Sequence, residues 1–99
     1  MKVQFSEKNR NLILQKIQEA MAGRKLDDLV SFQMGQGFLD VIISKLGTST
    51  LRFKETEDSS GLIYILESEK IAFAHRAFRD DVKDKLVKVI ERAGGSVQV

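Results

Sequence analysis

His75 is the only histidine of the chain, and it sits in Ala74-His-Arg-Ala-Phe-Arg-Asp80. An imidazole beside Arg76 and Arg79 is the kind of group that takes a proton while cations hold an anion. The competing reading is a half-exposed residue in a charged junction between a strand and a helix. Nothing in the neighbouring sequence supplies a nucleophile or fixes the ring's tautomer, so no residue is assigned as catalytic. The chain contains no cysteine, which excludes disulfides, thiolate chemistry and cysteine-ligated metals. With a single histidine as well, no metal site and no cofactor are expected.

A second group of residues suits an anion or RNA. Arg52, Lys54 and Tyr64 are expected on the outer face of one hairpin, with His75, Arg76 and Arg79 near its end. Cations hold phosphates and an aromatic ring stacks a base. Glu55, Glu57, Glu67 and Glu69 occupy the same hairpin and repel a backbone, which favours a solvated face of mixed charge. The acidic pairs Asp27-Asp28 and Asp80-Asp81 read as caps or turns rather than cation sites, and Asp58-Ser-Ser-Gly61 lacks the ligand spacing of a calcium loop. Gly35-Gln-Gly37 lacks the third glycine and the lysine of a phosphate loop.

A third group is apolar. Phe32, Met34, Phe38 and Leu39 surround two glycines, and Ile71 and Phe73 alternate on what reads as a short strand. Large apolar residues in such places are core or partner surface. These six are the candidate interface.

The elements that position these groups follow from periodicity. Lys2 to Phe5 alternates as a short strand. Ser6 is expected to cap a helix carrying Leu12, Ile13, Ile17, Ala20 and Met21, with Gly23 ending it. Residues 24–37 fit either a strand through Val30, Phe32 and Met34 or a helical turn through Leu26, Leu29 and Val30. Phe38, Leu39, Ile42, Ile43 and Leu46 form a helical stripe, while the β-branched Val41-Ile-Ile43 favours a strand. Thr48 to Glu57 alternates, Asp58-Ser-Ser-Gly61 is a turn, and Leu62–Leu66 reads as a central strand covered on both faces. Glu67-Ser-Glu69 is expected to turn into a further strand over Ile71–Ala74. The last helix carries the stripe Phe78, Val82, Leu86, Val89, Ile90 and Ala93, stopped by Gly94-Gly95, with a short edge strand possible over Ser96–Val99.

The order strand, helix, helix, three strands resembles that of the small RelE/ParE toxin family, some of which are ribosome-dependent RNases. The residues carrying the likeness are Lys2-Val-Gln-Phe-Ser6, the Ser59-Ser-Gly61 turn and His75-Arg-Ala-Phe-Arg-Asp80. The resemblance implies that Arg52, Lys54, Arg76 and Arg79 hold phosphates and stabilise a transition state.

The expected architecture is one α+β domain over residues 1–99: two layers, an antiparallel sheet of three to five strands and two or three helices packed on it. Sixteen basic against fourteen acidic residues give a net charge of +2, too balanced for a dedicated nucleic-acid binder. No apolar run approaches a signal peptide or a membrane span, so a soluble, cytoplasmic protein is expected. The leading functional expectation is a small non-enzymatic domain working through protein–protein contacts, its partner itself or another protein, as a homodimer. An RNA-binding or RNA-cleaving module is the alternative. A carrier whose apolar residues line a pocket instead of filling a core is the third.

Overall fold

The computed structural model describes residues 1–22 and 29–98. The helix stop at Gly23, the turn through Leu26, the pair Asp27-Asp28 and the terminal Val99 lie outside the described residues.

The elements run β1 (Lys2–Phe5), α1 (Arg10–Ala22), β2 (Val30–Gly35), β3 (Phe38–Ser44), β4 (Thr48–Asp58), β5 (Gly61–Lys70), a 3-10 segment (Phe73–Phe78), α2 (Arg79–Arg92) and β6 (Gly95–Gln98). The six strands form one sheet in the order β2-β3-β4-β5-β1-β6, and every pairing is antiparallel.

The fold is α+β, but the expected sheet of three to five strands is corrected to six. Two local readings raise the count, and a third removes an expected strand. Phe38–Ser44 is a strand, because Leu39, Val41 and Ile43 bury on one face while Ile42 stays partly open on the other. The β-branched run therefore outweighs the helical spacing of Phe38, Ile42 and Leu46. Residues 30–35 pair with it, Phe32 facing Val41, so β2–β3 is a hairpin turning at Gln36-Gly37. Glu67-Ser-Glu69 is not a turn: β5 continues to Lys70 through a bulge, where Phe53 opposes Leu66 but Arg52 opposes Ser68. Ile71–Ala74 consequently forms no strand; Phe73 opens the 3-10 segment. The element order no longer matches strand, helix, helix, three strands, so the RelE/ParE likeness does not extend to the fold found.

Helix α1 begins later than the serine predicts. Asn9, not Ser6, caps it: Asn9 Oδ1 accepts from the Leu12 amide at 3.2 Å. Its apolar stripe, Ile13, Ile17, Ala20 and Met21, is buried. Leu86, Val89 and Ile90 of α2 are buried with it against Val3, Phe5, Phe32, Leu39, Val41, Phe53, Leu62 and Tyr64. Strand β5 is interior to the sheet, yet only one of its faces is sealed; Ile65 is 46% exposed on the other.

One end of this core is closed by polar groups. Arg10, in the first turn of α1, donates from its Nε to both Glu55 carboxylate oxygens at 2.8 Å. The fully buried Tyr64 hydroxyl donates to Glu55 Oε2 at 3.1 Å. These partners hold the Glu55 carboxyl below its ordinary range, chiefly through the Arg10 hydrogen bond, while burial and the Glu55 charge push the Tyr64 phenol up. At the nearby β4–β5 turn, Asp58 Oδ1 accepts from the Ser60 amide at 2.8 Å and its hydroxyl at 2.6 Å. Gly61 follows with φ +143°, and a Cβ there would stand 1.8 Å from the Phe5 carbonyl oxygen.

Two predictions follow from this end. Gly61→Ala should lower stability by more than ~2 kcal/mol in denaturant unfolding, through strain and a backbone clash. Because Glu55's pKa is lowered on folding, its contribution is present above the unfolded carboxylate pKa, ~4.3, and lost as pH falls through the folded value. Glu55→Gln should therefore lower the melting temperature at pH 7 and flatten its decline below about pH 4.5.

Candidate functional site

Among the described residues, the opposite end of the core is not filled. The stripe of α2 is buried at Leu86, Val89, Ile90 and Ala93, but Val82 is only partly covered and Phe78 is 56% exposed. Facing this half of the helix are Met1, Leu51 and Leu66 of the inner sheet face, all incompletely buried. The gap between them is a cavity of about 510 Å³. Its walls come from the Val30, Ile43, Leu51 and Leu66 positions of the sheet, from Ile71 and Ala74, and from Phe78, Val82 and Leu86.

The uncharged polar side chains of this cavity, Ser49 and His75, are paired with one another and with backbone. Ser49, on β4, has no exposed surface. Its hydroxyl oxygen accepts from the Ala72 amide at 2.8 Å and lies 2.5 Å from His75 Nδ1. His75 Nε2 meets the Lys45 carbonyl oxygen. A carbonyl only accepts, so Nε2 carries a proton; in the neutral imidazole Nδ1 is then the acceptor and Ser49 donates to it, a tautomer inferred from the network. The chain Lys45–His75–Ser49–Ala72 ties the 3-10 segment to the β3–β4 turn. It superficially resembles a nucleophile and its base. A serine without accessible surface, already engaged on both sides, is poorly placed to attack a substrate.

The mouth is apolar and basic. Leu46 is 79% exposed at the tip of the β3–β4 turn and holds φ +59°, left-handed backbone that costs a leucine ~1 kcal/mol. Phe73 is 85% exposed on the 3-10 segment, with the Arg76 guanidinium 5.6 Å from its ring centre. Lys45, Arg79, Lys83 and Lys85 line the cavity with Glu69 and Asp81. Arg79 pairs with Glu69, Nε to Oε1 at 2.7 Å, and Lys85 pairs with Asp81 at 3.1 Å.

The residues singled out in the sequence are divided between regions. His75 and Arg79 line the cavity, and Arg76 lies on the adjoining segment. Arg52 and Lys54 lie on the opposite, outer sheet face, where Arg52 donates to both Asp40 oxygens at 2.8 Å and stacks 4.2 Å over the Phe38 ring. Tyr64 is sealed in the core, so its ring offers no stacking face. The six do not converge. Among the apolar candidates, Phe32 and Leu39 are core, and Met34 is partly buried against it. Phe38 is covered by Arg52, Ile71 lines the cavity and Phe73 is exposed.

The sequence left a pocket between sheet and helix as one of three readings without placing it, and it did not single out Ser49, Lys45 or Lys83. The stripe of α2 was legible, but its loss of partners toward Phe78 was not. The polar Ser49 at an inward-facing position of an alternating strand was the available signal. Among the described residues no cluster of acidic or histidine side chains suits a metal ion, and no helix is long and apolar enough to cross a membrane. No family model, curated protein or solved structure matches the chain.

Ser49→Ala removes the partner of both the Ala72 amide and His75 Nδ1. It should destabilise the fold by about 1–3 kcal/mol and speed amide exchange at Ala72 and His75, read by hydrogen-exchange NMR.

Proposed function

We propose that the chain is a non-enzymatic binding domain that takes one small hydrophobic molecule in the cavity between the 3-10 segment, the start of α2 and the inner sheet face. The observation that carries this reading is the wall itself: aliphatic side chains around about 510 Å³, with Ser49 and His75 already satisfied by one another and by backbone. That volume falls within the ~300–1,000 Å³ of small-molecule sites. The apolar rim at Leu46 and Phe78 gives a hydrophobic molecule a route inward. The absence of cysteine suits a reducing compartment such as the cytoplasm.

A second reading keeps the protein–protein contact. Leu46 and Phe78 are exposed apolar side chains lining the cavity, Phe73 is exposed on the adjoining 3-10 segment, and a second copy or another protein would cover them. Light scattering across concentration separates the two: a mass that doubles, and returns to monomer in Phe73→Ser, supports a homodimer through this rim.

For the ligand reading, titration with 1-decanol below its solubility limit should give saturable one-to-one binding by calorimetry. Leu66→Trp, which puts an indole into the cavity, should weaken that binding at least tenfold while the protein remains folded by circular dichroism. Absence of saturable binding to the unmodified protein overturns the reading.

A further inference from the structure

The cavity is asymmetric in its chemistry, and the asymmetry bears on the kind of molecule it takes. Much of its wall is hydrocarbon: Leu51, Leu66, Val82 and Leu86. Ser49 and His75 spend their hydrogen bonds on one another, on Ala72 and on Lys45, which leaves no obvious partner for a polar group placed deep inside. A ligand whose buried part is polar would lose its water contacts without replacement.

The charged side chains of the lining are four cations and two carboxylates. Glu69 is taken by Arg79 and Asp81 by Lys85. Among the described residues, Lys45 and Lys83 stand in no ion pair, although both line the cavity. They reach it from different elements, Lys45 from the β3–β4 turn and Lys83 from α2. Lys83 is partly buried in the lining, the burial expected of a lysine whose methylene stem lies along an apolar wall with its ammonium near water. Two ammonium groups with no ion pair among the described residues, set around a hydrocarbon pocket, complement one negative charge at the end of an apolar chain.

We infer that the ligand is an amphiphilic anion, a hydrocarbon chain with a single acidic head, whose chain fills the cavity and whose head lies between Lys45 and Lys83. This rests on the reading that the cavity binds a small hydrophobic molecule. A cationic amphiphile meets two like charges, and a neutral one leaves both lysines without a partner.

The test compares three probes of equal chain length, each below its critical micelle concentration: decanoate, 1-decanol and decyltrimethylammonium. Decanoate should bind about five- to tenfold more tightly than decanol, the scale of two partly exposed ion pairs, and decyltrimethylammonium more weakly than either. In the double variant Lys45→Ala, Lys83→Ala, decanoate should fall to the affinity of decanol, with decanol unchanged. Raising salt should weaken decanoate alone. Equal binding of decanoate and decanol by the unmodified protein overturns this inference and leaves the hydrophobic cavity standing. Failure of all three probes overturns both. A decanoate preference that survives the double variant overturns the assignment of the head to these lysines.

Discussion

The constraint on which the structure depends is one of area. All six strands lie in one sheet, and the buried stripes of both helices join a core on one of its faces. Helices of 13 and 14 residues are each about 20 Å long. Strand β4 alone, with 11 residues, runs about 36 Å, and six strands at their usual spacing span about 24 Å. Two such helices cannot cover that face. The described residues close one end of it and leave the other under-filled. The cavity follows from this mismatch, and the 3-10 segment bridges part of the remaining gap.

The two ends are finished by different polar devices. At the closed end, Arg10 and Tyr64 converge on Glu55, so a carboxylate on the inner face is neutralised and hydrogen-bonded where it would otherwise oppose burial. At the open end, Ser49 and His75 hold the 3-10 segment against the turn beneath it. The first device surrounds a charge with partners and joins α1 to the sheet. The second joins two irregular segments that have few apolar contacts of their own. The segment around Phe73, which has no buried residue, therefore depends for its position on a handful of hydrogen bonds.

The α+β class, the first strand, the stripes of both helices and the Asp58–Gly61 turn were legible in the sequence, because each rests on local periodicity or turn chemistry. The strand at Phe38–Ser44 was less so. Its apolar residues satisfy a helical spacing as well as alternation, and only pairing with β2 and β4 decides between them. The end of β5 was misread because Glu67-Ser-Glu69 has a turn's composition; the bulge at Arg52/Phe53 lets that polar stretch continue the ladder. The candidate site was legible only in part. His75 and Arg79 stand out by residue type. Their relation to Ser49, Lys45 and Lys83 depends on how far α2 stands from the sheet, a tertiary property with no local signature.

The central claim is that the inner face between α2 and strands β3–β5 is open to a ligand at one end and packed at the other. Methyl-resolved NMR, with decanoate added below its critical micelle concentration, tests it most directly. The account predicts saturable shifts at the methyls of Leu46, Leu51, Leu66, Val82 and Leu86, and none at those of Ile13, Ile17 or Leu62. Shifts spread evenly over both groups, or no saturable shift at all, would contradict it.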